Sequence, residues 1–118
     1  MPIYGHSVLV NQNAETIDLY GPRFVREPLS VIDFSNSTGI SIDCLAKGNP
    51  SPVIEWIRPD GAVVGNVQGL RYVLSNGTIY FPPFRAEEYR QDVHASIYAC
   101  AASNPFGRII SREVTLRA

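Results

Sequence analysis

Hydrophobic and polar residues alternate along this chain with a period of two, in short runs rich in Val, Ile, Tyr and Phe. Clusters of Gly, Pro, Asn and Asp separate the runs about every ten residues, the pattern of many short strands and few helices. From Gly21 onward it predicts strands at about 22–27, 30–34, 39–47, 53–58, 69–74, 78–82, 96–103 and 107–117, hence an all-β sandwich of two sheets. Pro28 has no N–H to give a sheet, so the opening strand should change partners there. Asn76-Gly77 suits a hairpin that needs positive φ, and Pro105 and Gly107 fit a type I turn in "NPFG". The charged stretch "RAEEYRQD", 85–92, could make one or two helical turns at most. Residues 1–20 are polar and without sustained period. They read as a poorly ordered leader or vector-derived segment, with "SVLV" a candidate edge strand, and the folded domain is expected at 21–118.

Alternation also assigns faces. Ile40, Ile42, Cys44 and Ala46 share one side of their strand, as do Ile54 and Trp56, then Tyr98, Cys100 and Ala102, then Val114 and Leu116. Both cysteines of the chain therefore point inward from different strands, and the single tryptophan stands twelve residues after the first. That arrangement describes an inter-sheet disulfide packed on an indole. Tyr98, two residues before Cys100, fits a corner in which the phenol hydroxyl bonds back to the backbone of the preceding loop. A rival reading keeps the cysteines reduced, as small buried hydrophobes of a cytosolic domain.

Composition narrows the functions. A chain of 118 residues makes one domain with a single core. Its formal charge of −1 and lack of any Lys/Arg run argue against nucleic acid as a partner. No apolar run approaches the roughly 20 residues that span a bilayer, and residues 1–20 lack the basic start and apolar core of a signal peptide.

Two stretches then carry a specific resemblance. "CLAKGNPSPVIEW" reads C-x-A-x-G-x-P-x-P-x-I-x-W and "YACAASNPFG" reads Y-x-C-x-A-x-N-x-x-G. Together they resemble the intermediate-set immunoglobulin domain over about 22–118. One departure stands out: the set commonly shows D-x-G-x-Y-x-C, whereas positions 94 and 96 here are His and Ser. The long connection "FPPFRAEEYRQDVHASIYAC", with "GPRFVREP" and "DFSNSTG" earlier, is similar to the first immunoglobulin domain of arthropod Dscam (Down syndrome cell adhesion molecule) receptors.

This resemblance implies the N-terminal module of a single-pass plasma-membrane receptor, extracellular, whose signal peptide and membrane span lie outside the chain. It implies homophilic recognition between cells in neuronal wiring, including axon guidance and dendrite self-avoidance. The implied partners are other immunoglobulin domains of the same chain, the fourth above all, and the same receptor on an opposing cell. The domain itself should touch neither membrane nor nucleic acid and should be mainly monomeric when isolated. A spacer in a cytosolic muscle scaffold and an immune-type receptor for foreign ligands are the alternatives. Two acceptor sequons, "NST" at Asn36 and "NGT" at Asn76, favour a secreted protein, though weakly: seven asparagines and 14 Ser and Thr residues give roughly 0.8 sequons by chance.

Catalytic chemistry has no foothold in the sequence. His6 lies in the leader and His94 in the long loop, where a histidine is usually solvated or locally bonded. Cys44 and Cys100 stand too far apart for paired zinc ligands, and Glu87 and Glu88, being adjacent, point in different directions. We therefore expect no enzyme activity, catalytic residue, metal or cofactor. The sequence does suggest a surface. On the sheet formed by the strands at 53–58, 96–103 and 107–117, the outward residues are expected to be Val53, Glu55, Ile57, Ile97, Ala99, Ala101, Ile109 and Ser111. Val53, Ile57, Ile97, Ala99, Ala101 and Ile109 make that side more apolar than a solvated face, a candidate docking site beside the bland reading of scattered surface hydrophobes.

Overall fold

A computed structural model describes residues 6–9 and 16–118, with side chains from residue 18 onward. One layer contains β2 (Thr16–Arg26), paired antiparallel with β5 (Leu45–Asn49), and the antiparallel set of β4 (Ile40–Ile42), β8 (Ile79–Phe81) and β7 (Tyr72–Val73). The other layer is centred on β9 (Ile97–Asn104). On one side β9 pairs with β6 (Val53–Ile57), on the other with β10 (Gly107–Ile110) and then β11 (Val114–Arg117), which holds β3 (Val31–Asp33) in parallel. Pro28 lies where β2 in the first layer gives way to β3 in the second, the expected change of partner.

The observed strands differ from the predicted ones in three places. The opening strand begins at Thr16 rather than 22, and a short β1 (His6–Leu9) pairs with it from His6↔Leu19 to Leu9↔Thr16. Residues 1–5 and 10–15 of the expected leader lie outside the described residues. The strand expected at 39–47 comes in two pieces, β4 facing β8 and β5 facing β2, with Asp43 and Cys44 between them. There the Asp43 carboxylate accepts from the Thr78 hydroxyl at 2.8 Å. The strand expected at 107–117 also breaks, at Ser111–Glu113. "RAEEYRQD" supplies a 3₁₀ turn, Ala86–Glu88, and starts the one-turn helix α1 (Gln91–His94).

The core lies between the layers. Trp56, Ile79, Phe81, Val93, Cys100, Val114 and Leu116 are fully buried, and Tyr98 nearly so. The disulfide joins Cys44 to Cys100 across Cα atoms 6.5 Å apart. Trp56 packs in the same cluster and donates its Nε1–H to the Gly77 carbonyl at 2.9 Å, satisfying the one polar atom its burial would otherwise strand. Gly77 has φ +93 in the tight turn after Asn76, as that turn requires.

The corner loop and the outward face of the second sheet

Tyr98 forms the expected corner. Its hydroxyl donates to the Val93 carbonyl at 2.9 Å and accepts from Arg71 Nη1 at 3.2 Å, and burial pushes the phenol above its ordinary pKa. Arg71 is 4% exposed, with its Nε bonded to the Gly65 carbonyl at 2.9 Å and its guanidinium 5.8 Å from the Tyr98 ring centre. Two of the guanidinium's five N–H donors thus go to a carbonyl and a phenol, and the ring face adds cation–π attraction.

His94 is locally bonded, as expected of a loop histidine, but it is buried rather than solvated. Its Nδ1 accepts the Arg90 N–H at 2.9 Å, and the ring stacks on Phe84 at 3.8 Å between centroids. Nε2 has no hydrogen-bond partner among the described residues, so no acceptor meets a proton there. Burial, helped by the nearby Arg90 charge, holds the imidazole below its usual pKa against the Asp92 and Glu88 carboxylates, which pull the other way. The sign follows. Neutral His94 is the form the fold accepts, so its contribution is complete above the unfolded-state value near pH 6.5 and shrinks as pH falls below it. We expect the melting temperature to drop between pH 7.5 and pH 5, and His94→Gln to flatten that drop, as read by thermal unfolding across pH.

Asn104 answers for the asparagine of the second motif, to which pattern alone gave no role. Its amide nitrogen donates to the Tyr20 and Pro50 carbonyls, each at 2.9 Å, and its oxygen accepts the Phe106 N–H at 2.9 Å. One side chain therefore ties the β9–β10 turn to β2 and to the loop before β6.

The outward side of the second sheet is only partly as expected. Register aligns Val53 with Ser103, Glu55 with Ala101 and Ile57 with Ala99 across β6 and β9, while Ile110, not Ile109, stands beside Ala101 on β10. Ile109 pairs instead with Ala102, whose side faces the core, and is half-buried. Ser111 causes the change of side. It is buried, its N–H donates to the Cys100 carbonyl at 2.8 Å, and its Oγ accepts the Cys100 N–H at 2.9 Å. A side-chain oxygen occupies the place of a ladder carbonyl, so alternation counted back from Val114 and Leu116 fails across this break.

Ile57, Ala99 and Ala101 do lie on this side, yet they are covered, at 3%, 4% and 2% exposure. After β6 the chain reverses at Arg58–Ala62 and returns with Val63 bridged to Ile57, so Ile57 sits between Val63 and Ala99. Ala101 lies between Glu55 of β6 and Ile110 of β10, and Ala99 lies beside Ile57. What reaches solvent is Val53, Val63 and Ile110, each more than half exposed, with Ile97 at the margin and Arg108 and Glu55 as the charged flank.

Asn36 and Asn76 both sit in exposed turns. Among the described residues no group of three or more His, Cys, Asp or Glu side chains could hold a metal ion, and no helix is long and apolar enough to cross a membrane.

No protein-family model matches the chain. Similar proteins do. Cell adhesion molecule Dscam1 of Drosophila melanogaster is 59% identical over 106 residues, 90% of this chain and 5% of that protein. Dscam2 of the same fly is 51% identical over 85% of the chain, and human DSCAM 34% over 80%, again 5% of each relative. Among solved structures, the N-terminal four immunoglobulin domains of Dscam1 isoform 9.44 superpose with a TM-score of 0.85 at 61% identity, covering 86% of this chain and 26% of that one. The chain thus spans about a twentieth of the length of the curated relatives it matches. With the disulfide, the buried Trp56 and the Tyr98 corner in place, the chain belongs to the Dscam family as an N-terminal immunoglobulin domain of the arthropod kind.

Proposed function

We propose that this domain is the membrane-distal module of an extracellular, single-pass cell-surface receptor that recognises copies of itself on other cells in neuronal wiring, with its sandwich spanning 21–118. The observation that carries this reading is the 59% identity to a cell adhesion molecule across 90% of the chain. The domain works as a rigid supporting block. Its outward face around Val53, Val63 and Ile110 packs on another immunoglobulin domain of the same chain, the fourth in order, and so sets the shape in which the remaining domains meet their counterparts.

The size of the face fits a supporting role. Three exposed aliphatic side chains centre a contact but fall short of the roughly 800 Å² per partner that a stable association buries. The isolated domain should accordingly sediment as a monomer at micromolar concentration.

Val53→Lys and Ile110→Lys test the reading, because both side chains leave the core untouched. Aggregation of cells bearing the full ectodomain should weaken about tenfold or more, since a lysine puts a charge that must be desolvated where an aliphatic side chain packs. The single-domain melting curve should stay where it is. Unchanged aggregation with both variants would remove this face from adhesion. Ile57 is unsuitable for the same experiment, because at 3% exposure a lysine there would disturb the fold itself.

A further inference from the structure

A second apolar feature lies away from that face. Phe34, Asn36, Phe84, Ala86 and Tyr89 line a groove of about 440 Å³, within the size range of small-molecule sites. Its wall is aromatic: Phe34 meets Phe84 edge-on at 6.4 Å, and Phe84 meets Tyr89 at 6.4 Å. Tyr89 is 45% exposed within this domain.

Asn36 shares this groove, and it opens the acceptor sequon Asn36-Ser37-Thr38. The turn that carries it is closely fixed. Thr38 and Gly39 both donate their N–H groups to the Ser35 carbonyl, and Gly39 takes φ +65. The Asn36 carbonyl accepts the Phe84 N–H at 2.9 Å, which holds the Asn36 backbone beside the aromatic wall. Its side-chain amide is exposed and makes no hydrogen bond among the described residues. Phe34 stands two residues before it on the other wing of the same turn.

We propose that this groove seats the first N-acetylglucosamine of a glycan on Asn36, making that sugar a packed part of the folded domain. The inference rests on the extracellular reading above. N-acetylglucosamine suits the site because all its ring substituents are equatorial, so each ring face presents only axial C–H groups. Such a face packs against an aromatic wall by dispersion and by attraction to the negative ring face. The first sugar is bonded to the Asn36 amide nitrogen and cannot diffuse away, so it meets the groove at high effective concentration. Asn76 gives the contrast. The groove beside it is walled by Pro52, Val53, Ile54 and Leu74, with no aromatic ring, and its amide oxygen is already held by the Thr78 N–H at 3.0 Å. A sugar on Asn76 is a solvated appendage.

The test uses protein secreted from cells that build oligomannose glycans, compared in three forms: intact, trimmed enzymatically to one N-acetylglucosamine per site, and fully deglycosylated. Glycopeptide mapping should find Asn36 occupied. The trimmed form should melt with the intact one, and complete removal should lower the melting temperature by roughly 3–6 °C for a domain of this size. Asn36→Gln, which costs no hydrogen bond, should reproduce that loss without the charge that enzymatic removal leaves. Asn76→Gln should shift melting by no more than about 1 °C. Tyr89→Ala should shrink the gap between trimmed and bare protein. Equal melting of those two forms would overturn the proposal, and so would an unmodified Asn36 in secreted protein whose Asn76 is occupied, an outcome that leaves the receptor reading standing. Absence of sugar at both sites, with no secretion, would remove both.

Discussion

Replacing Cys44 and Cys100 together by alanine should cost the domain about 4 kcal/mol, the entropy that closing a loop of about 57 residues removes from the unfolded chain. A domain of this size has roughly 5–15 kcal/mol of net stability, so the loss takes a large share of it. Two further effects act in the same direction. Both sulfurs are buried in the cluster that holds Trp56, so removing them opens space beside the largest side chain of the core. The bond also joins the break between β4 and β5 to the centre of β9, tying the layers where one of them has lost ladder bonds. Thermal unfolding followed by circular dichroism should show the midpoint fall by roughly 15–20 °C. A fall of less than about 5 °C would mean that packing alone sets the stability. Mass spectrometry of the non-reduced wild-type protein should find no alkylatable thiol.

The second large effect is expected at Gly39. Alanine there must adopt φ +65, which already disfavours an L side chain. Its Cβ would also run into the Phe81 carbonyl oxygen and stand 2.8 Å from both the Pro82 carbonyl carbon and the Pro83 nitrogen. All three are backbone atoms, two of them beside or within proline rings, so none can swing aside as a side-chain tip would. The cost should reach about 3 kcal/mol or more. Gly61→Ala is the matched control: it has φ +86 but, among the described residues, nothing within 4 Å of the added carbon, so it carries only the conformational penalty of about 1 kcal/mol. The difference between the two melting curves isolates the clash. If both variants lose the same small amount, the turn around Asn36 yields more readily than its backbone contacts indicate.

Much of the fold was legible because period-two alternation is imposed by the pleat itself. Ile42, Cys44, Trp56, Tyr98, Cys100, Val114 and Leu116 could be placed inside from spacing alone, and all seven are buried. The docking face was less legible, for reasons of a different kind. Ile110 replaces Ile109 because Ser111 puts its own hydroxyl into the ladder, a substitution of side chain for backbone that leaves no mark on the hydrophobic pattern. Ile57 is covered by Val63 because the chain doubles back on β6, a contact set by the turn at 58–62 and not by the residues of β6. His94 gave no signal of burial: a histidine among charged residues reads as solvated until Phe84 and Tyr89 are seen to enclose it. The aromatic groove at Asn36 joins residues some fifty positions apart, so the sequon was visible while its surroundings were not.

The layering also fixes how the domain carries load. The outward face around Val53 and Ile110 and the closing strand β11 belong to one sheet, joined through β9 by the Val114↔Tyr98 and Thr115↔Ile97 pairs. Tension applied at that face and resisted at the far end of β11 therefore runs along strands within a single layer. The ladder bonds lie across the direction of pull and are sheared together, where a force normal to the strands would unzip them singly. β3 braces the outer edge of β11 in parallel, and the Asp33–Arg117 ion pair adds a tie at 2.9 Å. The disulfide meets that path at Cys100 and ties it to the other layer.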